Sequence, residues 1–211
     1  MSHRMERPEQ IGSRRVAVLG AGSWGTTFAK VLADAGSDVA LWARRPELAR
    51  EIAESKRNSD YLPGVNLPRG LWASDRVEDV LDGAEAVFIS VPSQSLRQNL
   101  ADIHSVFPRD AIVVSLMKGV ERGSRFRMSE VIQQGLQVDP AQVAVISGPN
   151  LALEIAREEP TATVVSSESI DTATLIAMMA GTKYLHSFVN TDVIGTEFGG
   201  VLKNLIAVAI G

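Results

Sequence analysis

Short apolar runs alternate along the chain with longer stretches whose apolar residues recur every three or four positions. The runs lie at 16–19, 39–42, 71–73, 86–91, 111–116 and 143–146 and are rich in Val, Ile, Leu and Ala. Several are apolar at every successive position, which suits strands covered on both faces. The intervening stretches at 23–35, 46–55, 75–81, 93–103, 126–135 and 150–157 are read as helices. Two more strands are expected at 161–166 and 184–189, flanking a helix at 170–180. Such a βαβ rhythm joins parallel strands through right-handed crossovers. The expected fold class is therefore α/β, a doubly wound, mostly parallel sheet. Positions 191–210 behave differently and read as one long helix, apolar and rich in small residues, interrupted by Gly195, Gly199 and Gly200. A helix this apolar needs partners on several sides. It is expected to open a second, all-helical domain that is otherwise missing; the alternative is a last helix packed on the sheet.

The first strand runs straight into Gly20-Ala21-Gly22-Ser23-Trp24-Gly25, a GxGxxG turn, and a helix follows. In a Rossmann-type fold the first glycine permits the tight turn, the second lets backbone approach a pyrophosphate, and the third lets helix and strand pack closely. The free N–H groups and positive end of the helix then face the anion. The alternative is a glycine turn needed only for packing. On this reading residues 1–14 form a flexible tail, 15–189 a dinucleotide-binding domain, and 190–211 the start of the helical substrate domain.

Composition narrows the classes. The chain has 211 residues, 45% apolar and 22% charged, within the ordinary range for a globular protein. A net charge of −4 with no basic block argues against a nucleic-acid surface. No apolar run is read as approaching the length of a membrane span, and the polar N-terminus lacks the apolar core of a signal peptide. The absence of cysteine excludes disulfides, thiolate catalysis and cysteine-bound metal, and fits a cytoplasmic protein. His3, His104 and His186 are scattered, so no metal site is expected.

After the second strand, where an NAD-specific fold carries an acidic residue for the ribose, the chain has Ala43, Arg44 and Arg45. Two guanidiniums suit a 2′-phosphate and hence NADPH, unless the pair is merely solvated. Asp38 sits at the wrong end of that strand. Ser90-Val91-Pro92-Ser93, Lys118 and Ser147-Gly148-Pro149-Asn150 follow later strands, at the carboxyl edge where open sheets bind ligands. Ordinary caps and a surface lysine explain them equally well. Lys203 and Asn204 interrupt the apolar terminal helix; burial would lower a lysine pKa into a range useful for proton transfer, or its stem packs while the head reaches water.

Read together, Gly20-Ala21-Gly22-Ser23-Trp24-Gly25, Leu41-Trp42-Ala43-Arg44-Arg45, Tyr61-Leu62-Pro63-Gly64, Lys118-Gly119-Val120-Glu121, Ser147-Gly148-Pro149-Asn150 and Glu197-Phe198-Gly199-Gly200-Val201-Leu202-Lys203-Asn204 resemble bacterial NAD(P)-dependent glycerol-3-phosphate dehydrogenase. The resemblance spans nearly the whole chain. It implies reversible reduction of dihydroxyacetone phosphate to sn-glycerol 3-phosphate, a phospholipid precursor, with NADP(H) or NAD(H). It also implies that Ser23, Trp24, Arg44, Arg45, Tyr61, Lys118 and Ala152 contact cofactor beside Gly20, Gly22 and Gly25. Lys118, Gly148, Lys203 and Asn204 would contact substrate, with Lys203 the general acid/base and Lys118 polarising the carbonyl. That family continues into a helical domain with further contacts, so the chain is expected to be inactive alone, and a homodimer is expected. Two other readings stay open: a 3-hydroxyacid or 6-phosphogluconate dehydrogenase relative, and a non-catalytic nucleotide-binding module.

Overall fold

The computed structural model describes residues 14–210, without the side chains of Asn204, Leu205 and Ala207. The expected tail therefore falls outside the described residues, apart from Arg14. Eight strands, β1 (Arg15–Leu19), β2 (Asp38–Trp42), β3 (Leu71–Ser74), β4 (Ala86–Ile89), β5 (Ile112–Ser115), β6 (Val143–Ser147), β7 (Thr161–Ser167) and β8 (Leu185–Asn190), form one sheet. Its order is β3-β2-β1-β4-β5-β6-β7-β8. All neighbours are parallel except β6 and β7. Connections leave β1 toward one edge and β4 toward the other, so a crevice opens between these two strands at their carboxyl ends.

Among the described residues eight α-helices accompany the strands: α1 (Ser23–Asp34), α2 (Pro46–Ser55), α3 (Val77–Leu81), α4 (Leu96–Ile103), α5 (Met128–Leu136), α6 (Ala152–Ala156), α7 (Ile170–Met179) and α8 (Val193–Ile210). The expected helix at 93–103 divides into a 3-10 turn, Ser93–Ser95, followed by α4. Successive strand residues feed opposite cores, as the unbroken apolar runs require. Val16 and Val18 join Phe28 and Leu32 of α1 and Leu48 and Ile52 of α2, whereas Ala17 and Leu19 join Leu81, Leu100 and Ile132 on the other face. Phe28 and Phe88, both fully buried, meet with ring centroids 5.5 Å apart. Burial of one such side chain contributes about 1.5–3 kcal/mol, so this contact fastens α1 to β4 beneath the crevice.

The terminal helix packs against β6 and β7. Its 18 residues, of mean hydropathy 1.5, reach the length and composition of a membrane span. This corrects the expectation that no run approaches that length: Lys203, Asn204 and three glycines made the stretch read as interrupted. Glu197 is nevertheless anchored in the α/β unit, as described below. The outer face carries Ile194, Phe198, Leu202, Ile206 and Ile210 at intervals of four, all exposed.

Candidate active site

At Gly20 the backbone has φ +114°, and a Cβ there would lie 2.3 Å from the Ser90 carbonyl oxygen. Only glycine lets the turn after β1 pass so close to the end of β4. A Cβ on Gly25 would lie 1.9 Å from the Gly20 carbonyl oxygen, so the third glycine brings α1 down onto the turn. Gly22 differs: a Cβ there would meet nothing within 4 Å, because it faces the cleft. The three glycines thus divide into two that allow close packing and one that leaves room for a ligand.

Asn58, fully buried in the loop after α2, fixes this turn from behind. Its amide donates to the Ala21 carbonyl at 2.9 Å and the Thr26 hydroxyl at 2.8 Å, and its oxygen accepts from the Tyr61 N–H at 3.2 Å. The Ser23 hydroxyl donates to the Tyr61 carbonyl at 2.7 Å. Tyr61 and Ser23, far apart in sequence, are thereby brought together at the mouth of the cleft. The reading of the sequence passed over Asn58; a lone polar residue in a loop gives no local sign that it will be buried.

Three clefts follow one another along the carboxyl rim. The first, about 590 Å³, runs from Gly20 and Gly22 past Arg44, Arg45 and Tyr61 to Ser90, Val91 and Pro92. These last three also line the second, about 360 Å³, which continues over Trp24 to Lys118, Asn150 and Ala152. Ser147 closes the second and opens the third, about 500 Å³, bounded by Gly148, Gly200 and Lys203. Trp24 is held across the floor by its indole N–H, which donates to the Leu116 carbonyl at 3.1 Å.

The two arginines differ in their surroundings. Arg45 pairs with Asp60, lies 3.7 Å from Glu47 and sits over the Tyr61 ring at 5.7 Å. Arg44 is exposed and makes no ion pair among the described residues. The Asp60 bond holds the Arg45 guanidinium above its usual pKa and engages part of its charge.

At the other end, Lys118 donates to the Gly148 carbonyl at 3.1 Å. Gly200 lets α8 come close, since a Cβ there would lie 2.3 Å from the Ser147 hydroxyl and 3.8 Å from Lys118 Cγ. This approach carries Lys203 to Lys118. Burial, and then the neighbouring charge of Lys203, hold the Lys118 amine below the usual lysine range. The more buried amine of the pair is thus Lys118, which is half-buried, whereas Lys203 is exposed, which corrects the expectation of a buried Lys203. The terminal helix leaves its outer side uncovered here, so the head of Lys203 reaches water. The Asn204 side chain lies outside the described residues.

Residues 15–173 match the family model described as NAD-dependent glycerol-3-phosphate dehydrogenase N-terminus. The chain belongs to this family. The glycerol-3-phosphate dehydrogenase of Leifsonia xyli is 66% identical over 194 residues, covering 92% of this chain and 53% of that protein. The one from Corynebacterium glutamicum is 50% identical over 196 residues, covering 93% and 59%. The crystal structure of the Coxiella burnetii glycerol-3-phosphate dehydrogenase superposes with a TM-score of 0.86 at 32% identity, covering 93% and 60%. The chain therefore spans between half and three-fifths of the length of these relatives of the family.

Proposed function

We propose that this chain is the cofactor-binding part, with the first catalytic helix, of an enzyme that reversibly reduces dihydroxyacetone phosphate to sn-glycerol 3-phosphate with NAD(P)H. The observation that carries this reading is the meeting of two amines, Lys118 and Lys203, at the far end of a cleft path that begins at a glycine turn. The open face of Gly22 and the N-terminus of α1 fit a pyrophosphate. Arg44, Arg45 and Tyr61 would hold the adenosine end, and Trp24, Lys118 and Ala152 the nicotinamide end. When bound, the nicotinamide supplies the hydride that reduces the C2 carbonyl.

The residues of the chain do the remainder. Lys118, fixed by Gly148, hydrogen-bonds the carbonyl oxygen and draws electron density toward it. Lys203 donates the proton that turns the forming alkoxide into a hydroxyl, and takes it back in the reverse direction. Gly148 and Asn204 complete the substrate side.

The apolar stripe on α8 supports reading residues 190–211 as the start of a helical domain, since such a face needs cover. Left uncovered, it would draw two copies together, and light scattering measures that homodimer. A cytoplasmic site is proposed on the lack of cysteine. In the protein carried to the length of its relatives, Lys203→Ala is expected to cut turnover of dihydroxyacetone phosphate by about 100-fold or more while NADPH affinity stays within about two-fold. Retained turnover would overturn the assignment, and a substrate panel separates the hydroxyacid alternatives.

A further inference from the structure

Glu197 is the least exposed charged residue of α8, 8% exposed, and the reaction proposed above gives it no part. Its carboxylate accepts three hydrogen bonds: from Arg127 Nη1 at 2.9 Å, from the Ser129 N–H at 3.0 Å and from the Ser129 hydroxyl at 2.6 Å. Ser129 lies in the first turn of α5, so the carboxylate also satisfies a free N–H at the positive end of that helix. The partners are spent on nothing else that could orient α8; Arg127, at the N-cap of α5, additionally pairs with Glu130 of that helix, 3.2 Å away.

The position of this contact is what gives it meaning. Arg127 ends the loop that begins at the carboxyl end of β5 and carries Lys118. Glu197 lies on the helix that carries Lys203, one turn before Gly200, where α8 comes closest to Ser147 and Lys118. One buried carboxylate therefore ties together the two segments on which the two amines are mounted. Exposed pairs rarely define geometry, but a buried acceptor with three donors fixes one arrangement, because any other leaves a charge or an N–H without a partner.

We propose that Glu197 is a positioning residue which, through Arg127 and Ser129, sets α8 at the distance and rotation that bring Lys203 to Lys118. The inference rests on the dehydrogenase reading for its purpose, not for its geometry.

The test uses the 211-residue chain, reductively methylated with carbon-13 and titrated by NMR, with Lys118 assigned through Lys118→Met. Lys203→Met removes the neighbouring charge and is expected to move the Lys118 titration upward. Glu197→Ala is expected to do the same, because α8 loses its anchor. The sign is decisive, since deletion of a carboxylate acting only through its field would move a lysine titration downward. Ser129→Ala removes one donor, keeps the Arg127 pair, and is expected to give a smaller upward shift; it carries the test if Glu197→Ala does not fold. NADH titration runs alongside and is expected to be unchanged within about two-fold in Glu197→Ala. An unchanged or lowered Lys118 titration in the Glu197 and Ser129 variants, with Lys203→Met raising it, would overturn the proposal. No effect of Lys203→Met would also overturn it, since the amines would then not be coupled. Absence of NADH binding in the parent chain would instead count against the dehydrogenase reading and leave the positioning result standing.

Discussion

The glycine turn offers a paired perturbation in which stability and binding should separate. In Gly25→Ala the new methyl would lie 1.9 Å from the Gly20 carbonyl oxygen and 3.1 Å from Ser90 Cβ, against the 3.4 Å at which ordinary contact begins. The first neighbour is backbone, held by a bond from the Gly20 N–H to the Trp42 carbonyl at 3.2 Å, so α1 must move. Overpacking of this kind costs about 3 kcal/mol at the upper end of its usual range. Alanine in a helix returns up to about 1 kcal/mol of backbone entropy relative to glycine. The net cost is about 2 kcal/mol, which for a domain of this size lowers Tm by roughly 4–8 °C.

Gly22→Ala is the counterpart. At φ −74° and ψ 179° alanine fits without strain, and the methyl meets nothing within 4 Å. Loss of glycine at this helix cap costs under about 1 kcal/mol. The methyl would, however, stand where a pyrophosphate approaches the backbone, so NADH affinity is expected to fall at least about ten-fold, or about 1.4 kcal/mol. Calorimetric melting and fluorescence titration of both variants read the two quantities. A Gly25→Ala protein that melts no lower than the parent would refute the packing argument. A Gly22→Ala protein that binds NADH as the parent does would refute the placement of the pyrophosphate.

Other perturbations probe separate parts of the site. Asn58→Ala leaves the Ala21 carbonyl and the Thr26 hydroxyl without their buried donor, and urea denaturation should show a loss of about 2–3 kcal/mol together with weaker NADH binding. Arg44→Ala should reduce NADPH affinity more than Arg45→Ala, because Asp60 already engages Arg45; calorimetry showing the reverse order would reject the 2′-phosphate role of Arg44. Glu121 accepts two bonds from Arg97 and one from Ser124, which hold its pKa down to about 2 from 4.5. Its contribution is therefore fully present above pH 4.5 and lost as the pH falls toward 2. Glu121→Gln should be less stable than the parent at pH 7 and indistinguishable from it near pH 2, measured by urea denaturation across that range.

The strands were legible because a parallel strand covered on both faces must be apolar at consecutive positions, and Val16 to Leu19 feed two cores from four adjacent residues. The glycine turn was legible because its spacing expresses a local steric demand, which Gly20 and Gly25 meet in the structure. Lys118 and Lys203 stood out as charges, one at a strand end and one in an apolar helix. Glu197 gave the same signal as Lys203, and only its partners reveal a role for it.

The sequence by itself determined the element order, the fold class and the rim on which a ligand would lie, since each follows from periodicity and local sterics. The tertiary structure alone decided which amine is the more buried, that β7 runs antiparallel to β6, that Asp60 engages Arg45, and that Glu197 joins α8 to α5. Those outcomes depend on groups separated along the chain, by 15 residues for Arg45 and Asp60 and by 70 for Arg127 and Glu197, meeting in space. Whether a polar side chain is solvated or satisfied in the interior is fixed by such meetings, and no local pattern encodes them.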